Sequence, residues 1–500
     1  MDPFSAFFLT WIDLKLLSIV ALGTFAGIYV GAIPGLSVTM AASILISFTF
    51  SWDLYPALAL MIGVFMGGVY GGSRTAILLN IPGGPSSIAT ALDGFPLAQK
   101  GEAGEATGIS TVLSFFGAIV GIVVLMVGAP SLSKFALTFQ PRDFMLLGIM
   151  GLMLVGSLSG ESLAKGVFAG ALGLLIGTVG LDPLTAQERF TFGMVSLWGG
   201  ISFVAVMIGL FGVSEVLYQM HHIDQSPIQQ KLKRIVPSFA SIRKYFWLAM
   251  QCSGIGVVIG ALPGTGGDIA ALMAYDHATR VTKNPEVPFG QGAKEGLVAP
   301  ESANNAAVGG AFIPMLTLGI PGDAVTAIIL GALFIHGLNP GPMLMINQPD
   351  MFWVISGALV LASFFMLIFG LTGIRIFLKV VQMPRPILFP LILVLSIVGS
   401  YALNNSLMDV YWMLGFGVLG YFMKLYGYQA APVILGIILS RLIDENWRRA
   451  ILSEQESLGG FFANMLTSPL SVVLLLIVAS TVVIKMPFYV RWRNRGRPQA

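Results

Sequence analysis

LLNIPGGPSSIATALDG, Leu78 to Gly94, is the stretch on which the fold turns. It lies between two long apolar runs, yet its centre cannot continue an ordinary helix. Pro82 and Pro85 lack a backbone donor, and Gly83 with Gly84 favours unwinding. Ser73, Arg74, Asn80, Ser86, Ser87 and Thr90 surround the interruption. So many polar groups beside a broken helix need a physical reason in so apolar a chain.

The 500 residues are 56% apolar and 10% charged, with a mean hydropathy of +0.84. A soluble domain carries about 25% charged residues, so this composition is that of an integral membrane protein. Apolar runs recur at Leu14–Val30, Thr111–Val127, Ile201–Leu217, Phe246–Ala261, Val354–Leu371, Ile387–Val398 and Leu470–Ile484. They are not alternating strands, so an all-α polytopic bundle is expected rather than a barrel. At about 20 residues per span, the chain holds about eleven or twelve transmembrane helices.

Net charge is +3 and decides little. Two basic patches matter more, because cytoplasmic loops hold excess Lys and Arg. One is Lys231, Lys233, Arg234, Arg243 and Lys244; the other is Arg491, Arg493, Arg495 and Arg497. Both read as topology signals and not as nucleic-acid contacts. A single cysteine, Cys252, excludes a disulfide framework and a thiolate metal cluster. The start of the chain shows no basic region or cleavage site, so no removable signal peptide is expected.

The interruption occurs twice. Gly27-xxx-Gly31-Ala-Ile33-Pro34-Gly35 is matched, 229 residues on, by Gly256-xxx-Gly260-Ala-Leu262-Pro263-Gly264. Leu79-x-Ile81-Pro82-Gly83 is matched, 239 residues on, by Leu318-x-Ile320-Pro321-Gly322, and Gly71 aligns with Gly310. These landmarks in one order point to two pseudo-symmetric repeats with broken or re-entrant helices at the Pro-Gly motifs. The repeats are read as inverted; a parallel pair stays open. The simpler reading is proline kinks with glycines for close packing. Against it stand Glu301, Asn304, Asn305, Thr317, Asp323 and Thr326 around the second break.

A broken helix suits an ion and an acid. Freed carbonyls at a half-helix C-terminus can hold a cation. Freed N–H groups at an N-terminus, with roughly half a positive charge, can hold an anion. Ser86, Ser87, Asp323 and Thr326 fall where the helices resume, and each is also an ordinary N-cap. Arg74 stands next to a wholly apolar run, where a charge needs a partner or a task. The task would be a forked contact to a substrate carboxylate; otherwise Arg74 snorkels or pairs with Asp93 or Asp323. Glu301 is read as a helix-start carboxylate or part of a cavity wall. Glu161 and Lys165 have the spacing of a structural helix pair. His221 and His222 have no metal-site spacing. Phe289-Gly-Gln-Gly-Ala-Lys-Glu-Gly only superficially resembles a nucleotide-binding loop. Uphill work would therefore draw on an ion gradient.

At this point two long blocks carry a resemblance. YGGSRTAILLNIPGGPSSIATALDGFPLAQKGEA, Tyr70 to Ala103, and GLVAPESANNAAVGGAFIPMLTLGIPGDAVTAIILGALFIHGLNPGP, Gly296 to Pro342, resemble the two signatures of the large membrane subunit of tripartite tricarboxylate transporters. The resemblance implies a multi-pass secondary transporter of the bacterial inner membrane. It implies two partners, a small four-span membrane subunit and a periplasmic solute-binding protein. Its substrate would be a tricarboxylate or related organic carboxylate, imported with Na⁺ or H⁺ and without a cofactor. Carried over by position, the binding region holds Asn80, Pro82, Gly83 and Ser86, with Asn304, Asn305, Thr317, Pro321 and Gly322. Ser73, Arg74, Ser87, Asp323 and Thr326 would join it, with Na⁺ near Asn80, Asn304 and Asp323. Pro34, Gly35, Pro263 and Gly264 would be structural breaks.

The expected organisation is a first membrane repeat over 14–219, a cytoplasmic basic linker over 220–245 and a second repeat over 246–440. Residues 441–500 form an amphipathic segment, a last helix and a basic tail. Arg441, Arg448 and Arg449 fit this scheme only if 425–465 holds a non-spanning helix or one span is miscounted. The alternative function is an intramembrane transferase using the polar loop 275–302. It would need a convergent acid–base set, and the sequence offers none beyond Glu301, Asp276 and His277, the last two adjacent and so pointing apart on a helix.

Overall fold

Backbones in this protein approach each other closely at matching glycines, and those contacts set the frame. The computed structural model describes residues 2–33, 36–158, 162–182, 185–220, 237, 239–373, 385–453 and 457–485. Pro34, Gly35, Glu161, His221, His222, Lys231, Lys233, Arg234 and the Arg491–Arg497 tail lie outside them.

The first half opens with α1 (Pro3–Ile12) and α2 (Leu14–Ala32). Then come α3 (Val38–Thr49), α4 (Leu54–Leu79), α5 (Ser86–Leu97) and α6 (Ala103–Ala136). It continues through α7 (Pro141–Leu158), α8 (Leu163–Gly177), α9 (Phe203–Met207) and α10 (Ser214–Gln219). The second half repeats the order with α11 (Phe239–Gly260), α12 (Gly266–Val281), α13 (Glu295–Leu318) and α14 (Ala324–Ile335). After the short α15 (Leu344–Asn347) comes α16 (Pro349–Thr372). Helices Arg385–Asn404, Leu407–Leu425, Ala431–Ser453, Leu458–Thr467 and Pro469–Lys485 complete the described chain. Sheet among the described residues is a two-residue antiparallel pairing of Gly180–Leu181 with Glu188–Arg189. The protein is thus an all-α polytopic membrane protein.

The repeat is visible contact by contact. A Cβ on Gly27 would lie 2.4 Å from the Val64 carbonyl oxygen, and one on Gly256 2.2 Å from that of Ala303. On Gly31 it would meet Gly68 O at 2.2 Å, and on Gly260 Ala307 O at 2.3 Å. Gly71 and Gly310 answer from the other side, against Ile28 O at 2.2 Å and Val257 O at 2.5 Å. The α2–α4 and α11–α13 pairs therefore pack by one plan, with no room for any side chain at the crossing. The motifs aligned by spacing are the residues that make those crossings. Between the halves the arms are exchanged: α12 packs on α5, and α3 packs on α14.

Both halves break alike. Helix α4 ends at Asn80 in the left-handed conformation, φ 56°, where α13 ends at Gly319, φ 72°. Resumption is alike too. Ser87 Oγ donates to Gly84 O (2.7 Å) and accepts from Gly84 N (3.1 Å). Thr326 Oγ1 donates to Asp323 O (3.0 Å) and accepts from Asp323 N (2.9 Å).

Four described segments are long and apolar enough to cross a bilayer: Leu14–Ala32, Leu54–Leu79, Ser86–Ala136, which bends at Gly101, and Pro349–Thr372. That is fewer than the expected eleven or twelve, for reasons of length and composition: Val38–Thr49, Leu163–Gly177 and Ala324–Ile335 are apolar but short. Other long helices carry polar groups, such as Glu301, Asn304 and Asn305 in α13, or charges, such as Arg243 and Lys244 in α11. The run Ile201–Leu217 is interrupted by a π-helical stretch, Ile208–Val213. Helix α11 starts at Phe239, inside the stretch expected to be linker. Leu458–Thr467 meets Pro469–Thr481 at 88°, so a short bent helix lies near the 425–465 region where a non-spanning one was an option.

Candidate functional site

The breaks meet. At the start of α5 the Ser86 N–H donates to Asp268 Oδ1 at 2.9 Å, joining the first break to the N-terminal turn of α12. Gly266, φ +57°, brings that turn against Asp323, since a Cβ there would lie 3.0 Å from Asp323 Cβ. Its neighbour Gly267 faces the middle of α13, where a Cβ would lie 2.0 Å from Asn304 Oδ1. Asn304 in turn reaches the first half through a long bond, Nδ2 to Val69 O at 3.5 Å. Asp323 is close enough to Asp268 to act on it electrostatically. Asp268 is exposed, so the space it fronts where the breaks meet is an open hollow and not a packed interface.

The convergence can be read chemically. Three resuming helices, α5, α12 and α14, bring their N-termini to one place, and helix N-termini attract anions. Asp268 and Asp323 already stand there as carboxylates, and Asn304 adds a neutral amide. Asp268 escaped the sequence reading. The signal was its position: it stands five residues after Pro263, at the far side of a Pro-Gly break, where Asp323 stands two after Pro321.

The other expected site residues separate into groups. Asn80 and Pro82 are exposed at the first break, while Pro321 and Gly322 are buried at the second. Gly83 is held by its N–H on Gly72 O at 3.3 Å, and a Cβ there would meet Gly31 O at 2.1 Å. Ser87 and Thr326 are caps, and Asp323 Oδ1 also caps the Thr326 N–H at 2.7 Å. Thr317 bonds back to Ile313 O within its own helix at 2.7 Å. Asn305 Nδ2 donates to Glu301 O at 3.0 Å. Pro263 is buried and Gly264 takes φ +74° at the α11–α12 break.

Arg74 departs from its expected task. Its side chain is 1% exposed, Nε donates to Tyr70 Oη at 2.8 Å and Nη2 donates to the Gly370 carbonyl of α16. The fork clamps one helix to another. Asp93, its suggested partner, instead accepts from Tyr275 Oη and from Gly290, Gly292 and Ala293 N–H, each at 2.8 Å. The glycine-rich loop that only looked like a phosphate cradle thus cradles a carboxylate of its own chain. Glu301 is neither at a helix start nor in the hollow, since α13 begins at Glu295 and Glu301 is 0% exposed. Lys165 donates to Tyr426 O at 2.6 Å and lines a separate 640 Å³ cavity with Glu215, Tyr218, Lys424 and Tyr428.

Comparison with known proteins agrees with the two sequence blocks. A family model described as the tripartite tricarboxylate transporter TctA family matches residues 17–435. An Agrobacterium vitis protein described as "Uncharacterized 52.8 kDa protein in TAR-I ttuC' 3'region" is 37% identical over 467 residues, 93% of this chain and 92% of that one. A second from the same organism, "Uncharacterized protein in TAR-II ttuC' 3'region", is 38% identical over 215 residues, 43% of this chain and 88% of that one. No solved structure matches.

Proposed function

The chain belongs to the tripartite tricarboxylate transporter TctA family, and from that premise we propose that it is the large membrane subunit that moves an organic carboxylate through the hollow at the breaks. The observation that supports this reading is the Ser86 N–H bond to Asp268. The start of α5 already holds a carboxylate, one of the protein's own. An incoming acid brings the same group and replaces Asp268 on the helix N-terminus. Displaced, Asp268 and the nearby Asp323 repel the acid unless positive charge accompanies it. A cation, Na⁺ or H⁺, moving with the substrate meets that need and supplies the driving force. Alternating access then turns on the helices that start at the breaks. In this reading a small four-span subunit and a periplasmic solute-binding protein deliver the acid, and the assembly sits in a bacterial inner membrane.

The enzymatic alternative required Glu301, Asp276 and His277 to converge. Asp276 is exposed and paired with Arg280, His277 is bonded to Gln251 at 3.0 Å, and Glu301 is sealed inside the bundle. They do not form one site.

The test is uptake of radiolabelled citrate by vesicles holding this chain with both partners, with and without Na⁺. Asn304→Ala is expected to abolish uptake while the protein inserts normally. Asp268→Asn removes the internal competitor, so KM falls, and kcat falls with it as release slows. Normal uptake by Asn304→Ala together with unchanged constants for Asp268→Asn would remove the hollow from the transport path.

A further inference from the structure

A second polar centre lies away from the hollow. Glu301 is 0% exposed, and its carboxylate accepts from Thr90 of α5 at 2.5 Å and from Ser110 and Ser114 of α6 at 2.8 Å each. Ser73 of α4, also 0% exposed, faces the same carboxylate, yet its hydroxyl completes no hydrogen bond. Hydroxyls from three helices thus ring one carboxylate on a fourth. Among the described residues no Lys, Arg or His is bonded to it. Arg74, next to Ser73 on α4, donates from Nε to Tyr70 Oη and from Nη2 to the Gly370 carbonyl.

A carboxylate held by neutral hydroxyls is expensive inside a bilayer, and intramembrane carboxylates of this kind mark ion pathways. Each hydroxyl that can donate also carries lone pairs, so the same ring can turn its oxygens toward a cation. Carboxylate and hydroxyl oxygens are what a hard cation takes. One negative charge among neutral oxygens balances a monovalent ion and not a divalent one. We propose that Glu301 with Ser73, Thr90, Ser110 and Ser114 forms a dehydrated Na⁺ site, and that the coupling ion binds there. The coupling half of this statement rests on the transport reading above; the binding half does not.

The placement links ion to acid. Thr90 stands one turn beyond Ser86 on α5, and Glu301 one turn before Asn304 on α13. An ion drawn onto Thr90 and Glu301 pulls together the two helices that also border the hollow.

The experiment is equilibrium binding of ²²Na⁺ to the purified full chain without carboxylate, followed by citrate uptake by the same variants with the partners. Wild type is expected to bind Na⁺ saturably, Glu301→Gln not at all, and Ser110→Ala with affinity reduced about tenfold or more. Asp268→Asn keeps the Na⁺ site. Ser110→Ala keeps the test decisive should Glu301→Gln fail to fold. Saturable binding that survives in Ser110→Ala and Glu301→Gln overturns the site. So does uptake driven by a proton gradient with no ²²Na⁺ bound. If binding follows these expectations but no preparation takes up acid, the site stands and the transport reading falls.

Discussion

The two Pro-Gly breaks share a backbone and differ in chemistry. Both end on a left-handed residue, Asn80 or Gly319, and both resume with a hydroxyl folded back on the chain, Ser87 or Thr326. At the matching glycines, Gly83 presses on Gly31 O and Gly322 on Gly260 O. Yet the first break is exposed at Asn80, Pro82 and Pro85, while Ile320, Pro321 and Gly322 are buried. Where the first half has Gly84, the second has Asp323, and the second half adds Asp268 and Asn304. The first half gives a donor, the Ser86 N–H; the second gives the acceptors. Packing has kept the duplicated frame alike, and the polar groups at the breaks have diverged upon it.

The comparison can be broken most forcefully at the glycines. A methyl at Gly83 would sit 2.1 Å from Gly31 O, and one at Gly322 2.5 Å from Ala311 Cα, with only backbone to yield. Gly83→Ala and Gly322→Ala are each expected to cost about 3 kcal/mol, read as loss of the folded fraction in thermal unfolding. Tolerance at one position and collapse at the other would show that the shared frame is used by one half alone.

Asn80 offers a sharper and smaller test. If its task is the left-handed turn that Gly319 performs opposite, Asn80→Gly leaves folding and uptake intact. Asn80→Ala then costs about 1.5 kcal/mol in the unfolding midpoint. Lost uptake in a stable Asn80→Gly would instead make the amide a ligand and end the equivalence. The smallest effects belong to the caps. Ser87→Ala and Thr326→Ala should each destabilise by about 1 kcal/mol and leave KM unchanged. A changed KM for either would move that hydroxyl from the cap to the solute.

Much of this frame was legible because paired spacings survive in the chain. Gly27, Gly31, Gly71 and Gly83 recur as Gly256, Gly260, Gly310 and Gly322, and each recurrence is a contact. The polar groups were harder. Sequence alone could not show that Gly370 O waits for Arg74, because that carbonyl is brought in by a helix far along the chain. It gave no sign that Asp93 fills the loop at Gly290–Ala293, or that Glu301 is ringed from α5 and α6. Asp268 was overlooked because its turn was weighed as a break and not as the start of a helix.

Helix α5 carries one last consequence. Ser86, Thr90 and Asp93 fall on one of its faces, and all three bond to the second half, at Asp268, Glu301 and the Gly290–Ala293 loop. By sequence α5 is part of the first repeat; by packing it is shared, lying on α4 of its own half and on α12 and α13 of the other. Under the alternating-access reading proposed above, α5 is therefore a strap between the halves, and any relative movement must strain or release the bonds at Ser86, Thr90 and Asp93.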